Sequence, residues 1–501
     1  MFCAFPVSWS RRKSVLLHTS ELTRMFKKLL VANRGEIAIR IIRSAQELGI
    51  KTVAVYEETD KTAMHIMRAD EAVCLGSGPR KDYLNIDRIV QAALSTGAEA
   101  IHPGYGFLAE NPMFSKKCTD AGLVFVGPPP QVIIDMGNKV VARRIMKNAG
   151  IPVIPGTDIL EEGELGEQDA VDFAEEYGFP IMVKAVAGGG GRGIRVATNV
   201  GELIKGLKMA RSEARMAFGN DDIYLEKGLG NPRHVEVQIV ADRFGDVIHL
   251  GTRNCSIQRR HQKMIEIAPA SLPADLSENV CRTAVKAAKA CNYVNAGTVE
   301  FLLDEADNYY FLEVNTRIQV EHTITEMITG IDIVRKQIRI AAGEPISITQ
   351  KDVTFRGVAI ELRINAEDPK NNFMASPGVI QIYQSPGGHG TRLDGAVYQG
   401  YEIPRYYDSM LVKLTVYGFT WREAVDRLDR TLKSFAIAGV KTTIPYYKQI
   451  VKDPDFIEQR FDTSYIETHP HLLDYQDEVP ELEKLASLVA EINARGYNPY
   501  A

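Results

Sequence analysis

The chain has 501 residues, of which 45% are hydrophobic and 25% are charged, and its formal net charge at pH 7 is −5. These fractions are ordinary for globular proteins and exclude a disordered, collagenous or coiled-coil chain, while the length predicts about three domains of roughly 150 residues each. The mildly negative charge disfavours a dedicated nucleic-acid binder, and no uncharged apolar run approaches the ~18 residues that would predict a membrane span.

The first 24 residues differ in composition from the rest of the chain. Residues 11–13 form a basic patch, and Glu21 is the only acid in this stretch. A mitochondrial transit peptide and a start codon assigned too early both fit this pattern. We favour the early start codon because Met25 opens directly onto an apolar strand, and the fold prediction therefore begins at Met25.

The chain from Met25 begins with a strand, a turn and a helix. An apolar run over Leu29–Asn33 predicts a strand, the apolar spacing over Glu36–Leu48 predicts an amphipathic helix, and Lys51–Tyr56 predicts a second strand. This βαβ unit favours a parallel sheet. A dinucleotide-binding fold would carry a GxGxxG turn, but only Gly35 stands there, so NAD binding is not indicated.

Composition then marks a loop and a domain boundary. His102–Leu108 contains two glycines and two aromatic residues and predicts a loop. Gly127–Pro130 is a strong breaker and predicts a boundary between domains, after which Val140–Asn148 predicts a helix.

A glycine cluster follows the apolar run Pro180–Val186. It spans Ala187–Gly193, and Ile194–Ala197 resumes as a strand, which predicts a hairpin. Backbone N–H groups in such a tip can approach an anion closely because no Cβ intervenes. A flexible tip without a ligand is the alternative. Lys184 favours a phosphate-binding lid, because an ammonium group in an apolar strand is costly unless it meets a fixed anion.

Two later strands carry paired carboxylates. Apolar runs on either side of the four-residue loop Glu305–Asn308 predict a hairpin in which Asp304 pairs with Tyr309. In this register Glu300 lies opposite Glu313. Like charges that face each other destabilise two paired strands, unless a hard cation such as Mg²⁺ lies between them and is bound by carboxylate and phosphate oxygens. We therefore favour a metal site over an exposed charged face.

Polar residues continue in alternation beyond this hairpin. If the chain stays extended, one face carries Glu313, Asn315, Arg317, Gln319 and Glu321. An exposed face of a sheet rarely needs two apposed acids with an amide and an arginine in line, and this pattern again favours the metal site.

A third cluster, Cys255–Lys263, places Gln258, His261 and Lys263 along one segment. The spacing of Cys255 and His261 could indicate a thiol nucleophile, but no companion motif supports it, and a buried structural cysteine is commoner.

The six cysteines of the chain form no CxxC motif. This usage favours a reduced compartment, and we expect the cytoplasm.

Seven motifs follow one another along the chain: Ala32–Ala38, His102–Leu108, Met136–Lys139, Gly188–Gly193, Cys255–Lys263, Glu313–His322 and Arg363–Pro369. Together they closely resemble the motifs of biotin carboxylase, an ATP-grasp enzyme. Each motif alone is modest, but seven in register are highly specific. The match runs from about Met25 to about Tyr465.

The resemblance implies an α/β fold in three parts. The implied units are a Rossmann-like N-terminal domain (25–137), an ATP-grasp domain (138–345) with a mobile lid (about 156–228), an α+β C-terminal domain (346–465) and a helical tail (466–501). Apolar spacing over Glu478–Arg495 predicts a helix in that tail, packed on its own body or on a partner. The family couples ATP cleavage to attachment of bicarbonate carbon to N1 of biotin, which a partner protein carries.

The resemblance also implies which residues bind each ligand. ATP would be bound by Lys139, Lys184, Gly190, Gly191, Glu226, Lys227, Leu229, His234, Gln258 and His261. Mg²⁺, or Mn²⁺ in its place, would be held by Glu300, Glu313 and Asn315. Bicarbonate and biotin would be surrounded by Lys263, Arg317, Gln319, Val320 and Arg363, with Tyr105 and Asp408 as supporting residues near the biotin pocket.

The implied reaction has Glu321 as its general base, which takes the bicarbonate proton so that bicarbonate oxygen attacks the γ-phosphoryl group. The resulting carboxyphosphate breaks down to CO₂ and phosphate, and the phosphate deprotonates biotin N1. Arg363 stabilises the enolate-like oxygen of biotin, and Lys263 and Arg317 complete the catalytic set.

Three positions depart from the family pattern. Gly228 stands at a lid hinge where a larger side chain is usual, Asn254 stands where an acid is common, and Ile267 replaces one acid of a usual pair. These departures concern details of the nucleotide lid and remove no reacting group.

The resemblance implies partners as well. The biotinyl-lysine tetrapeptide Ala/Val-Met-Lys-Met/Val does not occur in the sequence, so we expect a separate biotin carboxyl carrier protein and a carboxyltransferase subunit, which would select acetyl-CoA, another acyl-CoA or pyruvate. The family also implies a homodimer, with no nucleic-acid or membrane partner. Another carboxyphosphate-forming ATP-grasp ligase and a catalytically silent nucleotide-binding regulator are the alternatives.

Overall fold

A computed structural model of the chain describes residues 25–186 and 194–476. The predictions for the leader, for Gly190 and Gly191 in the glycine cluster, and for the tail helix lie outside these residues. Within the described part, no helix combines the length and the apolar character needed to cross a membrane.

A five-stranded sheet opens the structure. Its strands are β1 (Lys28–Val31), β2 (Lys51–Glu57), β3 (Glu71–Gly76), β4 (Ala100–His102) and β5 (Val124–Phe125), and its helices are α1 (Gly35–Glu47), α2 (Met64–Arg68), α3 (Ile86–Thr96), α4 (Pro112–Asp120) and α5 (Pro130–Gly137). All neighbouring strands are parallel, in the order β3-β2-β1-β4-β5. The predicted βαβ unit is confirmed, with every boundary within two residues of its predicted place.

Strand β1 is covered on both faces, as expected of a parallel sheet. Leu29 and Val31 pack with Ile37 of α1 in one hydrophobic core, whereas Leu30 packs with Val53 of β2 in another. The apolar run therefore carries no polar alternation, because neither of its faces meets water.

The predicted loop His102–Leu108 follows β4 and is tied to the end of β1. The Asn33 side-chain amide donates hydrogen bonds to the carbonyl oxygens of Pro103 and Tyr105, both at 2.7 Å. Gly104 has a φ of +63°, and a Cβ there would lie 3.0 Å from Asn33 Nδ2. Glycine is therefore needed at this position both for its conformation and for space.

The described residues between 156 and 228, the range predicted for the lid, have a hydrophobic core of their own. After α6 (Lys139–Asn148), the elements of this range are α7 (Glu164–Tyr177), β6 (Ile181–Ala185), β7 (Ile194–Ala197), α8 (Val200–Phe218) and β8 (Ile223–Lys227). The strands form an antiparallel sheet in the order β7-β6-β8, with Phe173, Ile181 and Leu203 in the core beneath it.

An eight-stranded antiparallel sheet occupies the centre of the molecule. Its strands are β9 (Arg233–Ala241), β10 (Val247–Arg259), β11 (Gln262–Ala268), β12 (Asn295–Leu303), β13 (Tyr309–Asn315), β14 (Val358–Asn365), β18 (Thr391–Gly395) and β19 (Met410–Gly418), in the order β13-β12-β9-β10-β11-β14-β19-β18. The pairing of β11 with β14 joins strands from the two sides of the boundary predicted near residue 345. One sheet therefore runs through both regions.

The remaining elements pack around this sheet. They are α9 (Ala274–Ala290), α10 (His322–Thr329), α11 (Ile333–Ala341), β15 (Glu367–Asp368), β16 (Met374–Ala375), β17 (Ile382–Gln384), α12 (Trp421–Lys433), β20 (Ala436–Ala438), α13 (Ile444–Ile450), α14 (Pro454–Ile457) and α15 (Tyr465–Thr468). Helix α12 buries Leu428 and Leu432 in a core that also contains Ile265 of β11. The hydrophobic core thus crosses the same boundary as the sheet.

The register predicted for the carboxylate hairpin is confirmed at its key pair, since Glu300 of β12 lies opposite Glu313 of β13. The predicted turn is wrong by one residue, because Leu303 pairs with Tyr309 and Asp304 lies in the loop. A β-bulge that inserts Leu312 between the paired positions compensates for this difference.

The extended strand considered beyond Asn315 does not form. Strand β13 ends at that residue, the chain turns, and α10 begins at His322. Glu321 is the residue immediately before this helix. Extended alternation therefore does not bring Arg317, Gln319 and Glu321 together; a turn brings them together instead.

Candidate active site

One face of the central sheet carries polar side chains. On β9, the polar residues His234, Glu236 and Gln238 alternate with Val235, Val237 and Ile239, which are buried in a hydrophobic core. Since successive side chains point to opposite sides of a strand, the polar residues emerge on the face away from that core. Strand pairing places Glu300 of β12 and Arg253 of β10 on either side of Glu236.

Glu321 lies fully buried among the cations of this face. Its Oε1 accepts a hydrogen bond from Lys263 Nζ at 2.7 Å, and its Oε2 accepts one from Arg363 Nη2 at 3.0 Å. Burial raises the pKa of the carboxyl, but Lys263, Arg363 and Arg253 outweigh burial and hold the pKa well below its usual range. Glu321 is therefore ionised at neutral pH.

Lys263 is shared by three carboxylates. Its Nζ donates to Glu236 Oε2 at 2.5 Å, to Glu321 Oε1 at 2.7 Å and to Glu300 Oε1 at 2.9 Å. Burial lowers the pKa of the ammonium group, but the three carboxylates raise it well above its usual range. Arg253 pairs with Glu236 from the other side, so charges of opposite sign alternate through the cluster.

Arg363, on β14, bridges two buried carboxylates. Its Nε donates to Glu266 Oε1 at 2.7 Å, while Nη2 donates to Glu321. Burial raises the pKa of Glu266 to about 8. The guanidinium plane of Arg363 is thus fixed from the neighbouring strand β11 as well as from Glu321.

Glu300 receives several donors at the end of the hairpin. Its Oε1 accepts from Asn315 Nδ2 at 2.8 Å and from Gln319 Nε2 at 3.1 Å, and His234 Nε2 lies 2.9 Å from Oε2. Burial raises the pKa of Glu300, but Lys263 and His234 outweigh burial and lower the pKa below its usual range.

Glu313 has a different environment. Burial and the neighbouring Glu300 raise its pKa, and the lowering effect of Lys139 does not cancel them. Lys139 Nζ lies 3.9 Å from the Glu313 carboxylate, which is too far for a hydrogen bond. The two facing carboxylates therefore form a site that a divalent cation would stabilise.

Arg317 links this hairpin to the N-terminal unit. It donates to Glu110 Oε2 at 2.9 Å, to Gln319 Oε1 at 3.0 Å and to Asn315 Oδ1 at 3.0 Å. The structure thus brings together the residues predicted to bind metal and the residues predicted to bind bicarbonate.

The residues predicted to bind ATP fall into two groups. Near the hairpin lie Lys139, His234 and Gln258, the last of which pairs with Lys263 across β10 and β11. His261 is exposed in the turn between these strands. On the lid, Lys184 and Glu226 form a buried ion pair, Lys227 donates to the carbonyl oxygens of Gly178 and Phe179, and Leu229 is partly buried just after β8.

The fixed anion that an ammonium group in strand β6 requires is present in the structure. The carboxylate of Glu226 on β8 pairs with Lys184. The burial of Lys184 is therefore explained by Glu226 and does not by itself indicate phosphate, so the phosphate-binding lid stays a prediction.

Of the other predicted residues, Val320 and Tyr105 both lie near Lys413, whereas Asp408 is exposed. Lys413 Nζ donates to the carbonyl oxygen of Val320 at 2.8 Å and lies 5.9 Å from the centre of the Tyr105 ring, whose hydroxyl is buried without a hydrogen-bond partner. Asp408 is exposed and accepts a hydrogen bond from the backbone N–H of Met410.

Sequence reasoning missed four charged residues that complete the site: Glu110, Glu236, Arg253 and Glu266. The alternation of polar and apolar residues along β9 was a usable signal for Glu236. Arg253 is flanked by the polar residues Thr252 and Asn254, so its local sequence offered no comparable signal.

The structure does not support a nucleophilic role for Cys255. Its sulfur lies 3.9 Å from Glu321 Oε1, and burial raises the pKa of the thiol well above its usual range. A thiol kept protonated in this way is not a nucleophile.

Three family models match successive parts of the chain. They are described as the N-terminal domain of biotin carboxylase, matching residues 25–133, the ATP-binding domain of the carbamoyl-phosphate synthase L chain, matching residues 138–349, and the C-terminal domain of biotin carboxylase, matching residues 361–468.

Individual proteins match over nearly the whole chain. Biotin carboxylase 1 of Bacillus subtilis is 53% identical, with 89% of this chain and 99% of that protein covered. A pyruvate carboxylase subunit of Methanothermobacter thermautotrophicus is 51% identical, with coverage of 90% and 91%. The crystal structure of the biotin carboxylase domain dimer of Hydrogenobacter thermophilus 2-oxoglutarate carboxylase, in complex with MgADP, ADP and bicarbonate, has a TM-score of 0.88, 52% identity and coverage of 91% and 100%.

Proposed function

Because the chain belongs to the biotin carboxylase family, we propose that Glu321 is the general base of the family reaction in this protein. The chain is an ATP-dependent ligase that carboxylates biotin, with bicarbonate as the carbon source and Mg²⁺ as the metal. The observation that carries our assignment is the placement of Glu321, which is buried, ionised and hydrogen-bonded to two cations.

A general base must be ionised and must reach the proton that it removes. The cations that keep Glu321 ionised also attract bicarbonate to the same place. In the proposed step, a carboxylate oxygen of Glu321 accepts the bicarbonate proton, and the bicarbonate oxygen then attacks the γ-phosphorus of ATP. Carboxyphosphate and ADP are formed. Carboxyphosphate decomposes to CO₂ and phosphate, and the phosphate removes the N1 proton of biotin. The deprotonated N1 then attacks the carbon of CO₂, which forms the N–C bond of carboxybiotin.

Arg363 is proposed to stabilise the ureido oxygen of biotin as negative charge develops there. Its two carboxylate partners, Glu266 and Glu321, fix the guanidinium plane before the substrate arrives. Lys263 and Arg317 are proposed to bind bicarbonate, because both are cationic and both lie beside the proposed base. Lys263 donates a hydrogen bond to Glu321. Arg317 donates to Gln319, which in turn donates to Glu300.

The hairpin residues fit Mg²⁺. Two carboxylates from Glu300 and Glu313 are the hard oxygen ligands that this ion prefers. Burial, together with the charge of Glu300, raises the pKa of Glu313, and a bound cation would favour its ionised form. The amide oxygen of Asn315 accepts a hydrogen bond from Arg317, and its second lone pair is the one proposed to bind the ion. The ion, when bound, supplies positive charge that offsets the charge of the nucleotide phosphates.

We propose that the three parts of the chain divide this work as the resemblance implies. The N-terminal unit, 25–137, supplies Tyr105 near biotin; residues 138–345 bind ATP and metal, with the lid closing over the nucleotide; and residues 346–465 supply Arg363 and Asp408. The lid core is separate from the other cores, which supports movement of the lid as a unit.

We also propose a homodimer that receives biotin on a separate carrier protein and works with a carboxyltransferase subunit. Two relatives of about equal identity are named for different acceptors, pyruvate and 2-oxoglutarate. This difference supports the idea that the carboxyltransferase subunit, rather than this chain, selects the acceptor.

The test is bicarbonate-dependent ADP release stimulated by free biotin. Glu321→Gln keeps the shape of the side chain and removes the base, and we expect a rate loss of at least about 100-fold. Glu326→Gln is the matched control, because Glu326 is also nearly buried but pairs with Arg40 and Arg392 outside the cluster. Full activity in the Glu321→Gln variant would refute the assignment of the base.

A further inference from the structure

A buried lysine lies against the turn that carries Glu321. Lys413 is on β19, and its side chain is 0% exposed. Its Nζ donates a hydrogen bond to the carbonyl oxygen of Val320 at 2.8 Å and lies 3.2 Å from Glu36 Oε2. The reaction proposed above uses neither Lys413 nor Glu36.

Glu36 belongs to the motif Ala32–Ala38, to which the proposed reaction gives no role. It is buried in the first turn of α1, in the N-terminal unit. Burial raises the pKa of its carboxyl to about 7, and the charge of Lys413 opposes this effect. Because removing two charges from water offsets most of their mutual attraction, a buried ion pair is weak evidence for a role in stability alone.

The place of Lys413 in the sheet is also unfavourable for stability. It lies opposite Arg363 in the pairing of β14 with β19, so the two cations share one face of the sheet. Like charges that face each other destabilise two paired strands. An apolar side chain at this place would avoid both the repulsion and the burial of a charge. We therefore looked for the role of Lys413 in what its ammonium group holds.

The turn between β13 and α10 is anchored to different parts of the chain at its two ends. At its start, Glu110 accepts hydrogen bonds from the backbone N–H of Thr316 at 3.1 Å and from Arg317 Nε at 2.9 Å. Near its end, the ammonium group of Lys413 binds the carbonyl oxygen of Val320. Lys413 thus ties the end of the turn to the central sheet.

The contact with Val320 acts on the backbone of the proposed base. The carbonyl oxygen of Val320 and the N–H of Glu321 belong to one rigid peptide plane. Lys263 and Arg363 hold the carboxylate of Glu321, whereas Lys413 holds the backbone from which this side chain extends.

We propose that Lys413 is a positioning residue for the general base and that Glu36 keeps the ammonium group of Lys413 in place beside Val320. This proposal rests on the assignment of Glu321 as the base. It also gives the motif Ala32–Ala38 a role in the reaction, because Glu36 connects the N-terminal unit to the turn through Lys413.

Loss of Lys413 should displace the base without changing its ionisation. The cations that lower the pKa of Glu321 are Lys263, Arg363 and Arg253. All three remain in a Lys413 variant, so the acidic limb of kcat/KM should keep its midpoint. Displacement of a reacting group by about 1 Å can cost about 100-fold in rate, so kcat should fall.

The test uses the full chain and a double variant, because Lys413→Met alone would leave Glu36 buried without its partner. Glu36→Gln combined with Lys413→Met removes both charges and preserves the approximate size of both side chains. We expect kcat for bicarbonate-dependent ADP release to fall at least about tenfold, with KM for ATP within about twofold and the acidic limb unmoved. Lys286→Met is the matched control and should keep full activity, because Lys286 of α9 also donates to a backbone carbonyl, that of Gly150, but outside the site.

Amide hydrogen exchange reports on the turn independently of catalysis. Residues 316–322 should exchange at least about tenfold faster in the double variant, whereas residues 295–303 of β12 should exchange as in the unaltered chain. An unchanged kcat, an unchanged exchange rate in the turn, faster exchange in β12 or a shifted acidic limb overturns the proposal. Full activity in Glu321→Gln together with faster exchange in the turn would refute the assignment of the base, whereas slow exchange with an inactive Glu321→Gln would refute only the role of Lys413.

Discussion

Replacement of Lys263 by glutamine tests the central charge arrangement most directly. The substitution leaves Glu236, Glu300 and Glu321 without the ammonium group that lies 2.5–2.9 Å from each of them. Coulomb's law with an effective dielectric constant of 20 gives ~6 kcal/mol for one pair at 2.7 Å, which is an upper limit. Removal of one partner from a buried ion pair costs ~3–5 kcal/mol, and we expect a destabilisation of this size at pH 8.

In the Lys263→Gln variant, the free energy of unfolding should depend on pH with the opposite sign from that of the unaltered chain. In the unaltered chain the pKa values of Glu300 and Glu321 lie below their usual values, so the stability they contribute is present above about pH 4.5 and is lost as the pH falls through the lowered values. Without Lys263, burial and mutual repulsion raise these pKa values above those of the unfolded chain. Stability of the variant should then fall as the pH rises.

The assays are thermal denaturation from pH 5 to pH 9 and the pH profile of bicarbonate-dependent ADP release. We expect the acidic limb of kcat/KM to move upward by ~2 pH units, which corresponds to ~3 kcal/mol. Lys263→Arg keeps the charge and should keep the sign of the stability profile. A Lys263→Gln variant with an unmoved acidic limb would show that Lys263 does not control ionisation of the base.

Three further predictions concern the metal, a loop and a buried acid. Glu313→Gln should raise the Mg²⁺ concentration for half-maximal activity at least about tenfold, whereas Glu305→Gln in the exposed hairpin loop should not; equal requirements would contradict the metal site. Gly104→Ala adds a crowded Cβ to a strained φ and should cost more than the ~1–2 kcal/mol expected of Gly106→Ala, which has a similar φ and open space; equal shifts in the thermal midpoint would contradict the crowding. Burial raises the pKa of Glu361 to about 7, so its contribution to stability falls as the pH rises from 4.5 through 7; the thermal midpoint of Glu361→Gln should therefore rise relative to the unaltered chain between pH 5 and pH 8, and a constant difference would contradict this prediction.

The register of Glu300 and Glu313 was predictable because a short loop couples the two strands of a hairpin. The predicted loop was one residue too short, and the bulge at Leu312 restored the pairing. Local apolar patterns do not encode such bulges, since they arise from how a strand packs on its neighbours. The pairing of Glu300 with Glu313 was therefore predicted correctly because the bulge offset the error in the length of the loop.

The neighbours of Glu321 could not be derived from local patterns. Lys263 precedes it by 58 residues and Arg363 follows it by 42, and they meet because β11 pairs with β14 in the sheet. Strand order over such distances is decided by the packing of the whole core. Only the resemblance to a known family placed these residues in one site ahead of the three-dimensional structure.

The continuity of the central sheet limits how this protein can be divided. A fragment that ends near residue 345 would lose β14 and leave β11 as a free edge with unpaired N–H and C=O groups. The same cut would remove Leu428 and Leu432, which pack against Ile265, from the shared core. Two proteins expressed separately from either side of this boundary would therefore each expose a strand edge and part of the shared core until they paired, and linker engineering should avoid this position.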